Sequence, residues 1–376
     1  MDERIATAGA AIAGRAEREL EALVAISSPS GDHDGAERAL RLAAELLPSG
    51  AEIERPPCST PGNAPDFLAR LVGTGSRRLL LLGHIDTVIP HAAHAPLRPE
   101  GDRLLGPGTA DMKGGDVLAL GVARTLSQTP QRYAEIAVLL VTDEEWRTAP
   151  FAHMERFAGY DACLCFEAGE RDGDGSEAVV VRRKAAGTLR IDAQGRASHS
   201  GSAPDRGRNA LLALARASLA IAAHHDPQGE DRLSVVPTVV RSGQALNIVP
   251  AAGELLVDMR ADALRAFARV LEDVPREIDG VKLAPAMERR WPGMDSRAAT
   301  ETLLQRAGGR LGRPLVGVDR GGASDASHFA SSIPLTVDGL GPRGGGAHTP
   351  QEFILRDSLR ERAEVALALA YAVLES

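Results

Sequence analysis

Aromatic residues are scarce: Phe, Trp and Tyr together make up 3% of the 376 residues. That scarcity argues against the stacking platforms on which single-stranded nucleic acids are held. An excess of positive charge is also missing. With a formal net charge of -8, the chain disfavours phosphate backbones and anionic membrane surfaces as partners. Cysteine occurs three times, as Cys58, Cys163 and Cys165. These form no disulfide framework and lack the paired Cys-x-x-Cys spacing of a structural zinc site. Cys163 and Cys165 alternate with apolar residues in DACLCFE and read as buried thiols in a strand. No apolar run approaches membrane-spanning length, and MDERIATAG is acidic where a secretory signal is basic. The expectation is a cytoplasmic protein.

What is present is a pattern of helices and strands in a chain long enough for two domains. Two amphipathic helices are expected first, ending near Leu23 and Leu47. Strand-like runs then alternate with helices: FLARLVG, RRLLLLGHID, the helical GDVLALGVARTLSQ, AEIAVLLVT and DACLCFE. Near-continuous apolar strands alternating with helices predict an α/β fold, a mostly parallel twisted sheet flanked by helices. From about Val181 the texture changes to alternating strands, with strands expected at PTVVRSG, QALNIVP and GELLVDMRA and a helix at NALLALARASLAIAAHH. Past Trp291 the α/β pattern resumes. The expected organisation is a discontinuous domain of residues 1–181 and 292–376, interrupted by a smaller α+β domain of residues 182–291.

In open α/β sheets, sites gather beyond the carboxyl ends of the strands. LLLLGHIDTV ends such a strand in His84 and Asp86, two residues apart and so on one face of an extended chain. Asp111 in GPGTADMKGGD, Glu144 and Glu145 in TDEEW, Glu167 in CFEAG and His348 in GGGAHTPQ also follow strands or fall in glycine-rich loops. Each alone has a plain structural reading as a turn, a helix cap or a solvated loop residue. Together they are two histidines and several carboxylates on one sheet edge. Two nearby divalent cations need such nitrogen and oxygen ligands with a shared carboxylate, together with a base for the attacking water. A ligating histidine also needs a carboxylate to fix its tautomer, and Asp86 has the right face.

These motifs resemble the dinuclear zinc metallopeptidase and deacylase superfamily, which includes glutamate carboxypeptidase, acetylornithine deacetylase, succinyl-diaminopimelate desuccinylase and aminoacylase. GHIDTV, GDRLLGPGTADMKGG, TDEEW, FEAGE, RASHSGSAPDRGRNA, GGASDASHF and GGGAHTPQEFI are similar to its motifs, in order, with the glutamate carboxypeptidase branch nearest. The resemblance implies a zinc-peptidase-like fold and two divalent ions per subunit, zinc being foremost and manganese or cobalt also accepted by such ligands. Asp111 would bridge, with His84 and Glu167 on one ion and Glu145 and His348 on the other. Glu144 would be the general base and Asp86 would orient His84. The inserted domain would serve as lid and dimerisation unit, its His199 reaching the partner's site to stabilise the oxyanion. Asn247 and Arg260 would bind the substrate, Arg260 through a carboxylate. A serine-flanked loop histidine, a turn asparagine and a surface ion pair are the plainer readings of these three.

The implied reaction is hydrolysis of an amide in an N-acyl amino acid or small peptide by a homodimer. EEWRTAP departs from the small-residue loop that usually follows the Glu pair. It puts bulky Trp146 and Arg147 beside the nucleophile and leaves attack on another C–N bond, such as deamination of an aryl amine, as an alternative. A non-catalytic binding protein is the remaining one, opposed by the complete ligand set. His91 and His94, flanked by prolines, fit a substrate-side loop better than a metal site. His224 and His225 suit a helix end, and His328 suits the pocket lining.

Overall fold

A computed structural model describes residues 1–375. It divides into two units: residues 1–182, 295–319 and 324–375 form the first, and residues 183–294 with 320–323 the second.

The first unit is built on a six-stranded sheet. Its order is Glu52–Glu54, Phe67–Val72, Glu135–Val141, Arg78–His84, Ala162–Cys165 and Leu335–Val337. The last four run parallel, and the first two are antiparallel additions at one edge. The leucines of Arg78–His84 are all fully buried because the strand is central and both of its faces are covered. Helices Glu3–Val24, Gly114–Leu126, Arg297–Leu311 and Ser358–Leu374 share one continuous core with the sheet. Ser358–Leu374 is buried along nearly its whole length, so ALALAYAV marks a packed helix and not an amphipathic surface one.

The strand of this sheet that follows Arg78–His84 in the chain, Glu135–Val141, lies on one side of it, and the next, Ala162–Cys165, lies on the other. This reversal opens a crevice at the carboxyl end of Arg78–His84. A smaller sheet of Gly344–Gly345, Phe353–Leu355, Arg103–Leu105 and Arg98–Glu100 carries the His348–Glu352 turn to the loop containing Asp111. Gly115 lets the helix after that loop come close to the sheet. A Cβ there would sit 1.8 Å from the Phe166 carbonyl oxygen.

The second unit is an antiparallel five-stranded sheet ordered Ser234–Ser242, Ala252–Ala261, Ala185–Gln194, Val281–Trp291 and Glu277–Ile278. Alternate residues such as Leu255, Val257 and Met259 point into its core, which helices Ala210–Ala222 and Arg265–Glu272 complete. QALNIVP does not form the expected strand. It is a turn with Leu246 fully exposed, tied down by an isolated bridge between His199 and Ile248 and by the Ala210 N–H on the Pro250 carbonyl. Its apolar residues lack the regular alternation that would bury one face. Among the described residues, no helix is long and apolar enough to cross a membrane.

Candidate metal centre

His84 ends its strand, Glu144 and Glu145 follow Val141, and Glu167 follows Cys165, so three adjacent strand ends deliver four of the side chains. Asp111 enters from the irregular turn Thr109–Lys113, after Gly108 at φ +75°. His348, with φ +65°, is one of the few non-glycine residues in the left-handed region.

The ligand atoms form two trios, His84–Asp111–Glu167 and Asp111–Glu145–His348, each with its atoms within 4.8 Å of one another. Asp111 is shared. Its Oδ1 is 3.0 Å from His84 Nε2, and its Oδ2 is 3.1 Å from His348 Nε2. His84 Nε2 is 3.7 Å from Glu167, and His348 Nε2 is 3.3 Å from Glu145. Ligand bonds of about 2.0–2.2 Å at tetrahedral angles put neighbouring donor atoms roughly 3.3–3.6 Å apart; the observed 3.0–3.7 Å brackets that range, so each trio can take one cation after shifts of a few tenths of an ångström.

The electrostatics fit as well. Burial pushes the carboxyls of Glu167 and Glu145 up, and the charge of Asp111 adds to this. Hydrogen bonds to Asp111 and Glu145 raise His348 to about 10. For His84 burial opposes the charged ring, but the carboxylates of Asp111 and Asp86 outweigh it and its pKa rises well above the ordinary value. Crowded carboxylates thus draw protons into the places where divalent cations would supply positive charge. The Glu145 Oε1 atom is buried without a hydrogen-bond partner among the described residues, as a ligand oxygen awaiting a cation would be.

His84 Nδ1 lies 3.0 Å from the Asp86 backbone carbonyl and 3.4 Å from its carboxylate. A carbonyl only accepts, so Nδ1 carries the proton and the Nε2 lone pair faces the trio. The Asp86 carboxylate also accepts the backbone N–H groups of Glu144 and Glu145, each at 3.1 Å, and the Ser30 hydroxyl. One side chain thereby couples His84 to the Glu pair. Glu144 is 8% exposed and raised to about 8, first by burial and then by the charges of Asp325, Glu145 and Asp111, with His84 opposing.

Sequence reasoning did not single out Glu352. Its buried carboxylate accepts the backbone N–H groups of Gly108, Ala110 and Asp111 at 2.7–2.8 Å and so holds the turn that presents Asp111. Its spacing from His348, four residues within one loop, was the available signal.

Arg147 is turned into the interior and not out onto the loop surface. It is buried, with its guanidinium 2.8 Å from Asp143 and paired to Asp325, over the Phe151 ring. Two carboxylates and an aromatic face make the interior a better place for this cation than the loop surface. Trp146 alone projects outward, 70% exposed. His91 contacts Ser27 and Asp32, and among the described residues neither it nor His94 belongs to a candidate metal group. His328 is buried and stacked on Phe151.

His199, Asn247 and Arg260 belong to the second unit. His199 Nδ1 accepts the backbone N–H groups of Gly201 and Ser202, both at 3.1 Å, so in the neutral ring Nε2 carries the proton. Arg260 forms a bidentate pair with Asp258 at 3.0 and 3.1 Å. Asn247 is exposed and its backbone carbonyl accepts from Ser200.

A model of peptidase family M20/M25/M40 matches residues 80–372. Carboxypeptidase G2 from Pseudomonas sp. (strain RS-16) is 29% identical over 369 residues, covering 93% of this chain and 87% of its own. A putative succinyl-diaminopimelate desuccinylase from Mycobacterium tuberculosis is 31% identical over 339 residues, covering 82% and 83%. In fold, the chain is similar to a tripeptidase from Staphylococcus aureus, with a TM-score of 0.79 at 20% identity over 97% and 99% of the two chains.

Proposed function

The chain belongs to peptidase family M20/M25/M40 and is a metal-dependent hydrolase of peptide or amide bonds, and from that premise we propose a homodimeric dinuclear enzyme that cleaves the amide of a carboxylate-bearing N-acyl amino acid or small peptide. The observation that carries this reading is Asp111, with one oxygen turned to each of two ligand trios. His84, Asp111 and Glu167 would hold one ion and Asp111, Glu145 and His348 the other. Imidazole and carboxylate donors suit zinc, with manganese and cobalt as acceptable substitutes.

When bound, the ions supply an acidified water and polarise the scissile carbonyl. Glu144 takes a proton from the attacking water and returns it to the leaving nitrogen, for which its raised pKa suits it. Asp86 holds the Glu144 backbone N–H and the His84 ring in register for that transfer. His199, reaching the partner subunit's site, directs its Nε2–H at the oxyanion developing there. Arg260 receives the substrate carboxylate by exchanging it for Asp258, and Asn247 supplies a further hydrogen bond.

The dimer is assigned to the second unit. Leu212 and Leu219 on its first helix are 55% and 76% exposed, and Val236 and Val240 on its edge strand are 42% and 54% exposed. An unpaired edge beside apolar helix residues suits pairing with a second copy. The cytoplasm is the assigned compartment, supported by three cysteines that form no disulfide among the described residues. Neither nucleic acid nor a membrane is a partner in this reading.

The test is metal content by plasma mass spectrometry, followed by a screen of N-acyl amino acids and dipeptides. About two equivalents per chain and cleavage of an amide are expected. A protein that binds no metal after dialysis against zinc or manganese overturns the assignment.

A further inference from the structure

Trp146 stands immediately after Glu145, and among the described residues it is the one exposed aromatic side chain. The second tryptophan, Trp291, is 2% exposed. Sequence alone would allow a tryptophan in such a loop to fold down onto the protein. The loop does not permit it. On one side the backbone N–H groups of Glu144 and Glu145 are held by Asp86. On the other, Arg147 is locked between Asp143 and Asp325, and the Thr148 N–H is bonded to the Thr60 hydroxyl at 3.1 Å. Thr60 is itself anchored on Asp143 through its backbone N–H and hydroxyl, at 2.9 and 2.7 Å. The space inside is filled by Arg147 over the Phe151 ring, with Phe151 stacked on His328. With both neighbours fixed and the interior taken, the indole is held out in water beside a ligand of the centre.

We propose that Trp146 is a specificity-determining residue that stacks on a planar aromatic acyl group of the substrate. The inference rests on the N-acyl amino acid reading above. The acyl group is bonded to the carbonyl that the centre would polarise, and Trp146 directly follows Glu145, a member of a ligand trio, so the acyl half is the part assigned to it. An indole offers a large, stiff face with two rotatable bonds, and little freedom is lost when a ring settles on it. A flat ring gains most from that face; a methyl group gains little.

Matched pairs test it: N-benzoyl-glutamate against N-acetyl-glutamate, and the same pair on leucine. In Trp146→Ala the KM for the benzoyl member rises about tenfold more than for the acetyl member, and Trp146→Phe restores most of the difference. An equal change on both members, or no change on either, overturns the proposal. A second readout needs no turnover. In the Glu144→Ala background, metal-loaded, N-benzoyl-glutamate quenches tryptophan emission saturably, and the additional Trp146→Phe change removes the response. A response that persists without Trp146, or none in either protein, counts against the stacking role. If the wild type cleaves no N-acyl amino acid yet Trp146 emission responds to the benzoyl compound, the stacking site stands and the proposed reaction falls.

Discussion

Glu144 and Glu145 show how one peptide bond separates two chemical roles. Both are buried carboxyls after the same strand, yet Glu145 faces His348 at 3.3 Å while Glu144 touches neither histidine at ion-pair distance among the described residues. A carboxylate outside both trios is free to carry a proton. Replacing Glu144 with Ala is expected to lower turnover by about 10²- to 10⁴-fold while metal content per chain stays as in the wild type. Loss of metal together with activity would make it a ligand instead. At this scale the sequence was legible where chemistry writes itself into residue types: His84, Asp111, Glu145, Glu167 and His348 fall in the two trios. Glu352 and Ser30 were not legible, because each acts through backbone or carboxylate partners brought from distant chain, such as Gly108 and Asp86.

Loops, at the scale of elements, are held by buried carboxylates. Glu352 receives three N–H groups of the Asp111 turn with two oxygens. An amide in its place keeps one good acceptor and puts a donor against N–H groups. Glu352→Gln is therefore expected to weaken metal affinity about 10- to 100-fold, read by competition with a chelator. Unchanged affinity would leave Glu352 a fold residue only. The loop after Glu145 depends in the same way on Arg147, which neutralises Asp143 and Asp325 where both are buried. Burial alone would push Asp325 up; Arg147 reverses this and holds it below the usual carboxylate range. Arg147→Met keeps the volume, leaves two carboxylates unpaired, and is expected to cost about 3–5 kcal/mol in urea unfolding. A loss under about 1 kcal/mol would show that water reaches them.

Two features bear on the whole molecule. Glu177 lies buried under Arg362 at 2.7 Å and Arg343 at 2.9 Å, joining the strand Glu177–Arg183 to the last helix. Burial would raise its pKa, but the two guanidiniums win and it titrates below the ordinary glutamate value of 4.5. The folded chain thus releases this proton more readily than the unfolded one. Its stabilisation is complete above the unfolded pKa and is lost as pH falls through the lower, folded one. Melting temperature measured between pH 6 and about pH 3 should fall less steeply with acid in Glu177→Gln, from a lower starting value. An identical slope would remove Glu177 from the acid response. The second feature is the exposed face of the second unit. Changing Leu212 and Leu219 together to Asp should shift the protein from dimer to monomer in sedimentation, with little change in the circular dichroism of the fold. A variant that stays dimeric places the interface elsewhere.

By itself the sequence determined the class of fold and the donor set. Apolar runs such as LLLLGH can be satisfied only inside a covered sheet, and polar residues at their ends can lie only at its edge. It also carried the order of motifs that marks the family. Tertiary structure decided the rest. It turned Arg147 inward and Trp146 outward, made QALNIVP a turn, and gave Asp111 two neighbours from opposite ends of the chain. The physical reason is common to these cases. Periodicity reports whether a face is buried, but which charge neutralises a buried group depends on chain that is far away in sequence and near in space.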